Sequence, residues 1–319
     1  MRFIDRARGL FAEPEANPDT FHLSLALQGG GSFGAFTWGT LDRLLDIENL
    51  KLDAISGASA GAVNAALLAA GLIENGNAGA QDKLRRFWRR MSEAASFLPM
   101  AAIPRSMGAL ARAMSPYQFN PFDLNPLRSA LADEIDFKRL RAESPVRLLI
   151  AATRVSDGAL RIFRNEELSV DVVLASACLP LIHRTVEIDG EAYWDGGYVA
   201  NPPLIQLVHE TDARDVLIVQ VTPNRSTRTP VVKHEVVKRL EQITFNATLN
   251  AEIEALKLAA SLRATPKLRE LRIDRIAAED EIEDLGARNA ADLGWSFLEH
   301  LHDAGRRSVD TWLADRADA

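Results

Sequence analysis

Apolar runs that end in glycine alternate, through the first part of the chain, with stretches whose apolar positions recur every three or four residues. That alternation reads as strand, turn and helix. Leu23 to Gln28 is the first run, closed by Gly29, Gly30, Gly31, Ser32, Phe33 and Gly34. From Ala35 to Leu45 the apolar residues Phe36, Trp38, Leu41, Leu44 and Leu45 keep helical spacing. A second run, Leu52 to Ile55, precedes Gly57-Ala58-Ser59-Ala60-Gly61, and the Ala-rich stretch from Ala62 to Leu72 predicts a buried helix. Two such units in succession predict a parallel α/β sheet.

The pattern changes over residues 80–131, where Arg85, Arg86, Arg89 and Arg90 are followed by Phe97, Leu98, Met100, Met107, Met114 and Phe119 with no strand-like run. This segment is expected to be a helical insertion or lid. Strand character returns at Val146 to Thr153 and Leu160 to Arg164, and a helix is expected from Val170 to Cys178. Val186 to Trp194 reads as a hairpin, because Asp189-Gly190 suits a two-residue turn that needs positive φ. It delivers Asp195-Gly196-Gly197. Val216 to Val221 predicts a further buried strand, Val236 to Leu262 a long helix, Leu268 to Ile276 a last strand, and the C-terminus is helical. The expected organisation is a leader over 1–22, a catalytic domain over 23–225, and a mostly helical part over 226–319 packed on the same domain.

Composition narrows the function. The 319 residues are 47% apolar and 25% charged, ordinary globular values that allow a large core. A net charge of −7 argues against nucleic acid as a partner, since phosphate neutralisation needs an excess of Lys and Arg. The single cysteine, Cys178, excludes an internal disulfide and fits a reducing compartment, so a cytoplasmic location is expected. Asp5, Arg6 and Arg8 interrupt the N-terminal apolar residues, leaving no signal-peptide pattern, and no segment approaches the ~20 apolar residues of a membrane span.

The chemistry gathers at the glycine turns. A serine hydroxyl needs a base, an exposing backbone and donors for the oxyanion of the tetrahedral intermediate. The G-x-S-x-G at 57–61 stands between a predicted strand and a predicted helix, the context of a nucleophile elbow with Ser59 at its apex. A side chain at Gly57 or Gly61 would crowd so sharp a turn. The glycine run at 29–31 leaves backbone N–H groups uncovered, which is what an oxyanion requires. About one helix separates Gly31 from Ser59, so the two turns are expected at adjacent strand ends on the same edge of the sheet. Gly29, Gly31 and Gly34 also satisfy G-x-G-x-x-G. The dinucleotide reading fails, because the second strand ends in Gly57-Ala58-Ser59 rather than in an acidic residue, and Asp53 lies at that strand's start.

GGGSFG, GASAG and DGG, in this order and at these intervals, resemble the motifs of patatin-like phospholipases over roughly Leu23 to Pro203. The resemblance implies a three-layer α/β fold, a mostly parallel central sheet flanked by helices, and ester hydrolysis on lipid-like acyl substrates. It implies a Ser-Asp dyad, with Ser59 as nucleophile and Asp195 as base. It implies an oxyanion hole from Gly29, Gly30 and Gly31, with the amide of Ala60 as a further donor, and it makes Gly34, Gly57, Gly61, Gly196 and Gly197 motif glycines. Neither metal nor other cofactor is required. Phe33 departs from the family pattern, which often carries a basic residue there, and is expected to line the acyl channel instead.

Two rivals remain. An α/β-hydrolase with a Ser-Asp-His order would need a late histidine such as His300 or His302, both of which sit among charged residues on a predicted solvated helix face. A catalytically silent lipid-binding or scaffolding protein would keep the motifs without turnover. His183 and Cys178 read as structural, and Asn246, Asn250 and Glu254 share one helix face as a polar packing contact. Between Asp82 and Arg112 seven basic residues face two acidic ones. Residues 82–114 are therefore a candidate peripheral membrane surface. An amphipathic helix packed on the sheet accounts for the same residues.

Overall fold

The computed structural model describes residues 20–97, 117, 125–226, 228–262, 265–282 and 285–318. Most of the expected leader, and 98–116 and 118–124 of the expected insertion, lie outside the described residues.

Strand β1 (Phe21–Leu27) leads through a glycine turn into α1 (Gly34–Leu44), and β2 (Leu50–Gly57) leads through Ser59 into α2 (Ala60–Phe97). Helix α2 breaks at Asn75 and Gly76, where Gly76 takes φ 58°. Two short helices, α3 (Pro126–Glu134) and α4 (Phe137–Glu143), precede β3 (Arg147–Arg154) and β4 (Leu160–Phe163). Then come α5 (Val170–Ser176), the hairpin β5 (Val186–Ile188) and β6 (Glu191–Asp195), α6 (Leu204–Glu210) and β7 (Asp215–Gln220). The chain closes with α7 (Lys233–Ser261), α8 (Pro266–Glu270), β8 (Arg272–Ala277), α9 (Ala278–Glu281) and α10 (Trp295–Ala317).

The strands form one sheet in the order β5-β6-β3-β2-β1-β7-β8, with β4 also paired to β3. The run from β3 through β8 is parallel, while β4, β5 and β6 pair antiparallel. Parallel strands covered on both faces need apolar side chains on both, and every residue of β7 is buried. Alternation along the strands divides the core in two. Leu23, Leu25, Leu27, Ile55, Ile150 and Val219 pack under α1, α2 and α10. Ala26, Ala54, Leu149, Ala151 and Ile218 pack under α6 and α7, through Leu204, Leu207, Leu249 and Leu256. Sheet and flanking helices make three layers, the α/β architecture expected.

Register on β3 decides where the site falls. Ile150 pairs with both Gly57 of β2 and Phe163 of β4, and Ala152 pairs with both Arg161 of β4 and Asp195 of β6. A strand has two edges, so β4 occupies one, and β2 and β6 lie end to end along the other. Strand β6 runs antiparallel toward the end of β2 and stops at Asp195, two β3 residues beyond Gly57. At about 3.3 Å per residue, that gap leaves room for the turn that carries Ser59.

Two expectations are corrected. Phe21 and His22 belong to β1 rather than to the leader: Phe21 pairs with Leu50 and packs on Trp312 with ring centroids 6.2 Å apart. The segment from Leu268 to Ile276 divides, because Thr265 caps α8 by accepting the Leu268 N–H, and Pro266 opens that helix. Pairing begins only at Arg272.

Candidate active site

The turn after β2 is strained at one residue. Ser59 has φ 53°, a left-handed conformation that side chains rarely adopt, and it stands directly before the first residue of α2. It persists because its neighbours leave no alternative. The Ser59 N–H donates to the Ser176 carbonyl at 3.1 Å and to its hydroxyl at 3.0 Å. Asn64 Nδ2 donates to the carbonyls of Gly34 and Ala60, each at 3.0 Å, and its Oδ1 accepts Trp88 Nε1 at 3.1 Å, which ties the first turn of α2 to that of α1. A Cβ on Gly57 would lie 2.7 Å from the Ala62 nitrogen, one on Gly61 would strike the Leu27 carbonyl, and one on Gly34 would meet Ala60 Cβ at 2.7 Å. Ser59 keeps 8% exposure at the top of this turn.

Asp195 is fully buried. Its N–H donates to the Cys178 carbonyl at 2.9 Å and its carbonyl accepts the Thr153 hydroxyl at 2.7 Å, so the backbone is held on both sides. Oδ1 accepts the Gly197 N–H at 2.7 Å, while Oδ2 has no hydrogen-bond partner of normal geometry among the described residues. Burial pushes the carboxyl pKa up to about 7, against the opposing pull of the Gly197 N–H and the Ser59 hydroxyl. Gly196 backs onto the Ala151 carbonyl, where a Cβ would collide, and Gly197 abuts the Phe245 ring.

The glycine loop after β1 is held by groups that the sequence pattern did not single out for the site. Asn201 Oδ1 accepts the Gly29 N–H at 2.7 Å, and Thr222 Oγ1 donates to the Gly29 carbonyl at 3.0 Å. Gln28 Oε1 accepts the N–H groups of Val221 and Thr222, and Gln28 Nε2 donates to Asn246 Oδ1 at 2.8 Å. Gln220 Nε2 reaches the same Asn246 oxygen at 3.0 Å. The signal for Gln28 and Gln220 was their position, each an amide closing an apolar strand. Nothing in the local pattern marked Asn201 or Thr222.

One expected donor changes role. The Gly29 N–H is already donated to Asn201, and a Cβ at Gly29 would lie 2.5 Å from Ser59 Cβ, so this glycine provides close approach. Gly31, at φ 59°, is exposed, and Gly30 is half-buried. Ala60 occupies the first position of α2, whose N–H has no intrahelical acceptor. Phe33 faces inward, 3% exposed and edge-on to Phe297, so it is a core side chain and not a channel wall.

The other candidates lie elsewhere. His302 is not on a solvated face: its ring stacks on Trp38 at 4.2 Å, with Nε2 3.3 Å from Asp42 and Nδ1 3.1 Å from Asp303. His300 is exposed on the same helix. His183 Nδ1 accepts the Leu179 N–H, and Cys178 is buried with Sγ on the Arg184 carbonyl. Asp53 binds Arg147, Thr211 and the Asp212 N–H at the opposite end of the sheet. Asn246 is the buried polar contact expected, while Asn250 and Glu254 are exposed.

In the described part of 82–114 most of the positive charge is compensated, Arg85 being exposed with no acidic partner among the described residues. Lys83 is buried against Glu74 and Glu134, Arg86 pairs with Asp82 and Glu134, Arg89 with Glu93, and Arg90 with Asp133. These residues form a helix packed on the body of the protein. Among the described residues no helix is long and apolar enough to cross a membrane.

A family model described as Patatin-like phospholipase matches residues 25–208, which contain both glycine turns, Ser59 and Asp195. The chain belongs to the patatin-like phospholipase family. No curated protein matches the chain. Among solved structures, VipD from Legionella pneumophila is similar at 17% identity and TM-score 0.38, over 92% of this chain and 70% of that one. ExoU, in the ExoU-SpcU complex from the type III secretion system of Pseudomonas aeruginosa, is similar at 17% identity and TM-score 0.41, over 95% of this chain and 52% of its own. The chain thus spans about half the length of ExoU.

Proposed function

We propose that the protein is a serine acyl hydrolase that cleaves carboxylic esters of lipids through Ser59 and Asp195. The observation that carries the reading is a fully buried carboxyl with Oδ2 left unpartnered among the described residues, at the strand end that meets the strained Ser59 turn along β3; burial pushes its pKa up to about 7. A carboxylate so placed accepts the serine proton readily at neutral pH. Ser59 Oγ attacks the ester carbonyl and its proton passes to Asp195. The tetrahedral intermediate collapses by breaking the carbon–oxygen bond to the alcohol, which leaves with that proton. Water then attacks the acyl-enzyme, gives a proton to Asp195, and the acid departs as Ser59 recovers its hydrogen. The oxyanion is held by the N–H groups of Gly30, Gly31 and Ala60, with Gly29 locking the loop against Asn201. Loss of one such donor costs about 3 kcal/mol of transition-state stabilisation.

The test is labelling by a fluorophosphonate together with hydrolysis of a nitrophenyl ester. Wild type is expected to label and turn over, Ser59→Ala to do neither, and Asp195→Asn to lose turnover by about a thousandfold or more. A folded His300→Ala/His302→Ala variant is expected to keep its activity. A folded wild type that neither labels nor turns over would favour the silent lipid-binding reading, and loss in the histidine variant would favour the triad.

A further inference from the structure

Helix α7 is built inside out over its first half. Two of its buried residues, Gln242 and Asn246, are polar, whereas Val236, Val237, Leu240 and Ile243 are 37%, 46%, 58% and 50% exposed. At about 100° per residue these four fall within one arc, opposite the buried stripe. The approach to the helix adds Val231 at 84% and Val232 at 43% exposure. So continuous an apolar strip on a protein surface marks an interaction site.

Charge indicates the occupant. Residues 225–243 hold five basic side chains (Arg225, Arg228, Lys233, Lys238 and Arg239) against Glu235 and Glu241, in a chain of net charge −7. Beneath the helix lies a groove of about 680 Å³, whose described lining sets Arg225, Arg228, Lys238 and Arg239 against Glu235 and Glu279. Lys238 donates to the Arg288 carbonyl, and Arg239 to the Asn224 carbonyl and the Gln242 amide oxygen, all neutral acceptors. Arg228 is offset by Glu235 at 2.8 Å and Arg225 by Asp280 at 3.3 Å, which leaves Lys233, Lys238 and Arg239 as the positive excess over Glu241. An occupant must be apolar over the strip and anionic at its margin. A second copy docking about a two-fold axis would set this positive excess against itself.

We propose that Val231, Val232 and the first half of α7, with the basic residues at their margin, form the membrane-docking face, and that its occupant is a bilayer containing anionic phospholipid. The helix that carries the face backs the Asp195 turn, since Phe245, on the inward side of its next turn, packs on Gly197 and lies 5.3 Å from the Tyr198 ring. Docking would therefore seat the bilayer on the helix that supports the proposed hydrolytic site. That consequence rests on the hydrolase reading, while docking itself does not.

The experiment is vesicle co-sedimentation of the Ser59→Ala protein, which reads retention without turnover. Vesicles are phosphatidylcholine alone or with an equal amount of phosphatidylglycerol. Retention is expected on the anionic vesicles, with release by salt. Leu240→Asp/Ile243→Asp and, separately, Arg228→Glu/Lys233→Glu are each expected to weaken it by about tenfold or more. All four side chains are exposed, and unchanged melting temperatures confirm folding. Alanine at Arg85, Arg86, Arg89 and Arg90 is expected to leave retention intact. The proposal is overturned if the α7 variants bind like the parent, if only the arginine set matters, or if sedimentation velocity shows a dimer that Leu240→Asp/Ile243→Asp disperses. Vesicle binding together with a failed fluorophosphonate test would leave docking standing and remove the hydrolase.

Discussion

At the scale of single residues, the same burial that would fit Asp195 for the proposed role of base works against the fold. In the unfolded chain this carboxyl ionises near its ordinary 3.8, and in the folded protein near 7. Between those values the folded state holds a proton that the unfolded state has released, so stability falls as pH rises through that window. About 1.4 kcal/mol for each pH unit of the interval sets a ceiling of about 4 kcal/mol above pH 7. Asp195→Asn, which keeps an acceptor for the Gly197 N–H and carries no charge, is therefore expected to be more stable than wild type at pH 8. Near pH 4 the two should be alike, as urea titrations at the two pH values would show; an equal difference at both would mean that burial does not hold the proton. The same carboxyl predicts that kcat/KM for a soluble ester rises with pH and levels off above about 7, where the base is ionised. A pH-independent profile from pH 5 to 9 would remove Asp195 as the base.

At the scale of elements, the glycine loop is positioned from a helix far away in sequence. Asn246 of α7 takes Gln28 Nε2 and Gln220 Nε2 on its oxygen and gives its own Nδ2 to the Pro223 carbonyl at 3.0 Å. Asn246→Leu would leave the Gln28 Nε2 donor without this acceptor and Gln220 Nε2 with the Thr222 carbonyl alone, and a buried group left unpaired costs about 1–3 kcal/mol. The expected result is a lower melting temperature and a reduced kcat with KM little changed, because the loop moves while the acyl site does not. An Asn246→Gln protein that regains stability while its kcat stays at the leucine level would show that the loop depends on the exact position of the amide and not on packing alone. This dependence was not legible in the sequence. The strand, turn and helix units around Gly29 and Ser59 were legible, since each is written in local periodicity and ends in glycine. The end-to-end meeting of β2 and β6 on β3 was not, because pairing between remote segments leaves no local trace. The ion pairs of Arg86 and Arg90 with Glu134 and Asp133 were hidden for the same reason, so the row of arginines fitted a membrane surface and a packed helix alike.

At the scale of the whole molecule, the C-terminal helix completes a structure that the family match leaves at residue 208. Helices α1 and α10 cross at glycines: a Cβ on Gly39 would strike the His302 carbonyl, and one on Gly305 the Phe36 carbonyl. This close approach buries Leu298, Leu301, Ala304, Val309 and Trp312 against the core. The segment before α10 also reaches the glycine loop directly, where the Ala290 carbonyl accepts the Ser32 N–H at 2.7 Å. Helix α1 begins at the loop's last glycine, so a shift of α1 relative to α10 moves the loop against Ser59. Gly39→Val and Gly305→Val are each expected to destabilise the protein by about 3 kcal/mol or more through overpacking against backbone that cannot yield. Ester turnover should fall with them even well below the melting temperature. Gly286→Ala, at a glycine with open space around it, is the control and is expected to change neither. Thermal unfolding and nitrophenyl ester hydrolysis on the three variants would decide it. Full activity in a destabilised Gly305→Val protein would show that α10 supports the fold without holding the loop, and loss of activity at unchanged stability would show the reverse.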